Sequence, residues 1–172
     1  MKTFLTALGI LSAAGAACLF LGACERKATS PTGSAAPAAK HEHHAPHDGT
    51  PVVLGDEVYH LELVLDAANG KLQAFVLDGE MENFVRITAA SFDVTATVDG
   101  EKRSLVFQAV ADPATGEKVG DTALFEAQAD WLKATRKFDA VLASLTIRGS
   151  TFAAVPFNFP LGNDHDDPVR GK

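Results

Sequence analysis

Residues 51–161 predict an all-β fold: an antiparallel, immunoglobulin-like β-sandwich of about seven or eight short strands with one short helix. Three observations carry this expectation. Apolar and polar residues alternate with period two over several runs, and turn residues interrupt those runs at roughly ten-residue spacing. The dipeptide Asp99-Gly100 lies between two such runs, and both residues tolerate the positive φ that a two-residue hairpin demands. A small closed barrel is the second architecture. Neither cysteine of the chain lies in this segment, so burial of apolar surface has to hold it together.

The elements follow in order. Val52–Leu54 is a short strand, and Gly55-Asp56 reads as a two-residue turn, which would place Pro51 opposite His60. From Val58 to Asp66 the alternation is strict: Tyr59, Leu61, Leu63 and Leu65 take the core face, and Val58, His60, Glu62 and Val64 the other. Asp66–Gly70 is a hairpin connection into a strand from Lys71 to Leu77, which Asp78-Gly79 ends. A short strand follows at Val85–Ile87. The next, from Ser91 to Val98, turns Phe92, Val94, Ala96 and Val98 inward, and Ser104–Val110 returns after the Asp99-Gly100 turn. A Pro/Gly-bearing loop over 112–120 leads to a strand at Thr122–Ala129. Asp130 reads as the N-cap of one or two helical turns through Trp131, Leu132 and Arg136. The last pair is Ala140–Arg148, with Val141, Ala143, Leu145 and Ile147 on one face, and Thr151–Phe157 beyond Gly149-Ser150.

The full chain has 172 residues and a formal charge of −7, enough for one buried core. Its charge is uneven. Residues 25–50 hold three acidic and three basic side chains, whereas 51–161 hold 16 acidic and nine basic ones. Such a domain presents no net positive field to a phosphate backbone, which argues against nucleic acid as a partner. Two cysteines are too few for a disulfide scaffold or a four-thiolate zinc site.

The first 23 residues carry Lys2 and then an apolar run from Phe4 to Leu21, the n-region and h-region of an export signal. The run ends at Leu21-Gly22-Ala23-Cys24, which resembles the lipobox of bacterial lipoproteins: a branched apolar residue, two small residues, and the cysteine that begins the mature chain. The resemblance implies that Cys24 is acylated and becomes a membrane anchor, each buried CH₂ contributing about 0.8 kcal/mol. It also implies a place in the cell envelope. Glu25, where an aspartate would favour inner-membrane retention, points to the outer membrane, facing the periplasm. The other reading of the run is a single transmembrane anchor, since about 18 apolar residues just span a bilayer.

The organisation expected is therefore a signal peptide over 1–23, a lipid-anchored flexible tether over 24–50, a β-domain over 51–161 and a frayed tail over 162–172. The tether is rich in Ala, Pro, Ser, Thr, Gly, Lys and His and offers nothing periodic to bury.

Candidate ligand chemistry concentrates at the end of that tether. Lys40-His41-Glu42-His43-His44-Ala45-Pro46-His47-Asp48 holds four of the six histidines of the chain. Neutral imidazole suits Zn²⁺, Cu²⁺ and Ni²⁺, and a chain segment able to wrap an ion can bring several imidazoles to it. The bland alternative is a solvated spacer. His60 is set apart because it sits on a strand with Glu62 two residues along on the same face, and His47 is close enough in sequence to fold back on them. His47, His60 and Glu62 thus form a candidate ordered metal site beside the candidate ligands His41, His43 and His44. The tail run Asp164-His165-Asp166-Asp167 reads as a solvated terminus.

The stretch from His47-Asp48-Gly49-Thr50 through Leu54-Gly55 and Tyr59-His60 to Val76-Leu77-Asp78-Gly79 resembles the opening of uncharacterised His-rich envelope proteins found near heavy-metal efflux components. In those a His-Gly-Gly element precedes a strand, and Asp48 stands here in place of the first glycine. Enzyme motifs are missing: no Gly-x-Ser-x-Gly, no phosphate-cradling glycine loop, no His-Glu-x-x-His and no Cys-x-x-Cys. Asp78, Glu80 and Glu82 lack the downstream bidentate Glu of a calcium loop and read as a solvated turn, with Gln73, Arg86, Lys102 and Arg103 as surface polar residues. The sequence therefore points to a lipid-anchored periplasmic binding protein without enzymatic activity. It handles a divalent metal for the envelope, beside a metal transport system, or else docks an envelope protein with the histidines as spacer.

Overall fold

The computed structural model describes residues 44–163; the expected signal peptide over 1–23, Cys24, His41, His43 and the tail run from Asp164 lie outside them. The protein is all-β and antiparallel, with eight strands: β1 (Thr50–Leu54), β2 (Tyr59–Asp66), β3 (Lys71–Asp78), β4 (Ser91–Val98), β5 (Glu101–Ala109), β6 (Leu124–Gln128), β7 (Phe138–Ile147) and β8 (Ser150–Phe159). They lie in one hydrogen-bonded sheet of order β1-β2-β3-β6-β5-β4-β7-β8. Every strand gives residues to a single apolar cluster, from Val52 and Leu54 in β1 to Phe157 and Phe159 in β8. One face of one sheet can bury itself only by coiling until its halves oppose each other. The result is a sandwich-like, barrel-like architecture made from a continuous sheet.

The ends of that sheet meet through a side chain. Asn163, just after β8, accepts from the Val53 N–H with Oδ1 at 2.7 Å and donates from Nδ2 to the Val53 carbonyl at 3.1 Å. A primary amide reproduces the donor and acceptor of a neighbouring strand, so the open edge of β1 is satisfied where no ladder continues. The Thr50 hydroxyl donates to the Pro160 carbonyl at 3.2 Å across the same seam. A Cβ on Gly162 would collide with the Pro51 carbonyl oxygen, so only glycine fits there.

Turn chemistry sets the registers. Asp99 and Gly100 take φ values of 52° and 83° and close the β4–β5 hairpin as two-residue turns do; Arg148 and Gly149, at 47° and 91°, do the same for β7–β8. The β1–β2 connection is longer than the expected Gly55-Asp56 turn. Leu54 pairs with Tyr59, leaving four residues in the loop, with Gly55 and Glu57 both at positive φ. Pro51 consequently lies opposite Glu62, and His60 opposite Val53. A shift of two residues preserves the faces and changes which side chain the preceding segment reaches.

Other local expectations are corrected. Val85–Ile87 forms no full strand: Phe84 bridges Leu77 and Ile87 bridges Thr122, with the Val85 N–H donating to the Val76 carbonyl at 2.8 Å. Asp130 does not cap the helix. The 3-10 helix spans Asp130–Lys133, its N-cap is Ala129, and the Asp130 carboxylate pairs with Lys133 Nζ at 2.7 Å. In β7, Phe138, Ala140 and Leu142 point inward, as do Leu145 and Ile147, while Val141 and Ala143 point out. Between Leu142 and Leu145 the alternation slips by one. The paired β8 slips with it beside Ala154, whose φ of 53° breaks the pleat, so the register of the pair is the same on both sides.

Candidate functional site

The outward face of β2 and β3 is where the chain's polar oddities gather. Glu62 pairs with Phe75 and His60 with Leu77, so these side chains share the face opposite the core. On a surface strand they would be solvated. His60 and Glu62 are instead 1% and 0% exposed.

Glu62 is covered by residues 44–49, which lie in the part expected to be tether. The Asp48 N–H donates to the Ala45 carbonyl at 3.0 Å, making a turn, and Ala45 packs with Leu77 and Met81 in a small second apolar cluster. The folded unit thus starts ahead of Pro51, because this segment has a specific anchor. Glu62 Oε1 accepts the backbone N–H of His47 at 2.6 Å and of Gly49 at 3.0 Å, and Oε2 lies 2.8 Å from His47 Nδ1. A buried carboxylate with three donors around it satisfies itself and three groups of the strap at once.

The backbone of the strap fits its role. Asp48 has φ of 55°, a conformation that glycine adopts freely and other residues adopt at a cost of about 1 kcal/mol. A Cβ on Gly49 would sit 2.6 Å from Glu62 Cγ and 2.8 Å from the Leu63 carbonyl oxygen, so glycine is required there for the strap to approach β2.

The carboxylate also fixes the His47 ring. An ionised glutamate only accepts, so the proton of a neutral imidazole belongs on Nδ1, which leaves the lone pair on Nε2. The ring stacks on Phe75 at a centroid distance of 4.1 Å and is tilted against Phe84 at 5.8 Å. Its side chain is 40% exposed. Nδ1 on a carboxylate, which leaves Nε2 as the nitrogen able to bind, is the usual arrangement of a metal-ligating histidine and its supporting group.

The three residues of the expected ordered site are therefore divided. His47 and Glu62 touch. His60 points to the same side two residues, about 6.8 Å, along the strand, and its Nδ1 lies 3.3 Å from the Asp78 carbonyl oxygen. Among the described residues no group of three His, Cys, Asp or Glu side chains is close enough to hold an ion. His44 is exposed, with Nε2 3.7 Å from the Asp48 carboxylate.

Beside His47 opens a cavity of about 290 Å³, walled by Phe75, Phe84 and Leu124 and edged by Arg86, Asp112 and Glu117. Arg86 is more than a surface polar residue. Its Nη2 donates to the Thr115 carbonyl at 2.7 Å, and its guanidinium lies 3.8 Å from Glu117 and 3.7 Å from Asp121, tying the chain after Phe84 to the 112–121 loop. Burial raises the Glu117 pKa, but the Ala123 N–H, the Thr115 hydroxyl, Arg86 and the Thr122 hydroxyl outweigh it and hold the group below the usual glutamate value. Asp78 is likewise not a free turn residue. Burial raises its pKa, yet the Asn83 side chain and the backbone N–H groups of Asn83 and Glu82, with His60 nearby, bring it below the ordinary value.

Phe75, Phe84, Arg86 and Glu117 were not expected as site residues. Phe75 had a signal: it shares the polar face of β3 with Lys71 and Gln73, where an aromatic side chain needs a cover or a ligand. The pairing of Arg86 with the 112–121 loop spans about thirty positions of sequence and had none. The largest described chemistry on this face is thus a strap, a buried carboxylate, an oriented imidazole and an aromatic cavity. No helix among the described residues is long and apolar enough to cross a membrane. Comparison of the chain with protein-family models, curated proteins and solved structures finds no match.

Proposed function

We propose that the protein is a lipid-anchored, metal-handling protein of the bacterial envelope, held by Cys24 at the outer membrane and facing the periplasm. It takes up Zn²⁺, Cu²⁺ or Ni²⁺ through His47 together with imidazoles of His41, His43 and His44, and serves a metal transport system in the same compartment. The observation that carries this reading is the 2.8 Å contact between His47 Nδ1 and the buried Glu62 carboxylate. It gives one histidine of the cluster a set tautomer and orientation, a cost that an unstructured histidine meets on binding. His47 would then be the first ligand, and the three preceding histidines would complete the coordination. Glu62 would support His47 from behind instead of touching the ion. His60, engaged with the Asp78 carbonyl, takes no part.

Calorimetric titration of each ion into the full chain, beside His47→Ala and a variant with His41, His43 and His44 changed to alanine, tests this. Binding in the micromolar range or tighter, near −8 kcal/mol, is expected for the wild type, with a marked loss in both variants. Equal heats in all three proteins would overturn the reading. Mass spectrometry of the membrane-extracted protein tests the anchor separately: an intact residue 1 or an unmodified Cys24 would refute it.

A further inference from the structure

The cavity beside His47 has features that coordination of a metal does not use. We infer that it receives the side chain of an arginine presented by a partner protein. Its size is the first argument. About 290 Å³ lies at the lower limit of small-molecule sites and is ample for one long side chain. Its walls are the second. Phe75 and Phe84 lie 5.9 Å apart at 52°, and Phe84 is 50% exposed although it is a phenylalanine. A half-exposed ring at a cavity mouth offers a face on which a planar guanidinium stacks.

Charge is the third argument. Arg86 is already engaged by Glu117, Asp121 and the Thr115 carbonyl. Asp112 brings a further carboxylate: its Oδ1 accepts the Ala114 N–H at 2.8 Å, and among the described residues no hydrogen bond uses its Oδ2. The rim therefore carries more negative than positive charge, within a segment of 16 acidic and nine basic residues. That balance favours a cationic occupant over a tyrosine or tryptophan of similar size. Arginine brings both properties the site asks for, an apolar stem for Leu124 and Phe75 and a flat charged head for Phe84 and Asp112. The inference does not depend on metal binding.

The test is a titration of the purified, ¹⁵N-labelled full chain with N-acetyl-argininamide in the presence of a chelator, read by amide shifts. N-acetyl-norleucinamide and N-acetyl-glutamate amide are the control probes. The expected result is saturable binding of the arginine probe near the millimolar range, with shifts confined to His47, Phe75, Phe84, Arg86 and the 112–117 loop. Phe84→Ala and Asp112→Asn should each weaken it several-fold to about tenfold while leaving the circular dichroism unchanged. Asp112 lies in an exposed loop, so at least that variant should keep the fold. Equal affinity for the norleucine probe, shifts outside the cavity, no saturable binding, or indifference to both substitutions would each overturn the inference.

Discussion

Glu62→Gln is the most informative single substitution, because it keeps the shape of the side chain and changes one acceptor into a donor. In the native protein one oxygen takes the His47 and Gly49 N–H groups, and the other faces His47 Nδ1. If the glutamine carbonyl keeps the two backbone donors, its NH₂ must face Nδ1. That nitrogen can then only accept, so the imidazole proton moves to Nε2 and the lone pair there disappears. Two magnitudes follow. The backbone bonds pass from charge-assisted, about 1.5–3 kcal/mol each, to neutral, about 0.5–1.5 kcal/mol each, so the variant should lose roughly 1–3 kcal/mol in total. Metal affinity should fall about 10–100-fold, as it does when a ligating histidine loses its supporting carboxylate. Urea denaturation gives the first quantity, calorimetry the second, and long-range ¹H–¹⁵N spectra show which ring nitrogen carries the proton. A variant with native stability and the proton still on Nδ1 would refute the strap energetics. A switched tautomer with undiminished Zn²⁺ affinity would refute His47 as a ligand.

Three further outcomes are expected. Asp48→Gly relieves the backbone at φ of 55° and should raise stability by up to about 1 kcal/mol in denaturant unfolding, whereas Gly49→Ala should release the strap and expose the His47 amide to rapid hydrogen exchange. Asn163→Ala leaves both polar groups of Val53 without their partner and should cost about 1–3 kcal/mol, with exchange at the Val53 amide accelerating before that of β2. The native pKa of Asp78 is depressed below 3.8, so its contribution is complete above that pH and is lost as pH falls through the lower, folded value. Acid titration followed by NMR should therefore loosen residues 79–84 as pH falls below 3.8. Asp78→Asn should remove that step, and an unchanged profile would show that the carboxylate does not hold the loop.

The fold was largely legible because strand alternation and hairpin chemistry are local. Leu61 and Leu63, or Phe92 and Val94, show their face within four residues, and Asp99-Gly100 shows its turn within two. What failed were features settled by partners distant in sequence. The slip in β7 at Ala143 goes with the backbone of Ala154, and the length of the β1–β2 loop with the pairing of Leu54 and Tyr59. The candidate site was legible in part: a carboxylate and a histidine on the polar face of β2 drew attention to His47. Composition misassigned residues 44–50, since a segment with one alanine, one glycine and a proline has no periodicity to show. Its order comes from one buried carboxylate on another strand. The aromatic cavity was hidden because it is assembled from β3, the bridge after Met81 and the 112–124 region, which the pairing of β3 with β6 and the bridges Leu77–Phe84 and Ile87–Thr122 bring side by side.

The strap also decides how the protein carries force. A pull on the chain ahead of residue 44 reaches the outer face of β2 and β3 before it reaches β1. There it loads the contacts of His47 and Gly49 with Glu62, and only afterwards the β1–β2 ladder. Strand β1 is itself held on both sides, by β2 and by Asn163. Peeling the first strand from its end, the easiest way to open an antiparallel sheet, is thus blocked until the carboxylate lets go. A domain built this way yields at its clasp while the seam between β1 and Asn163 still holds.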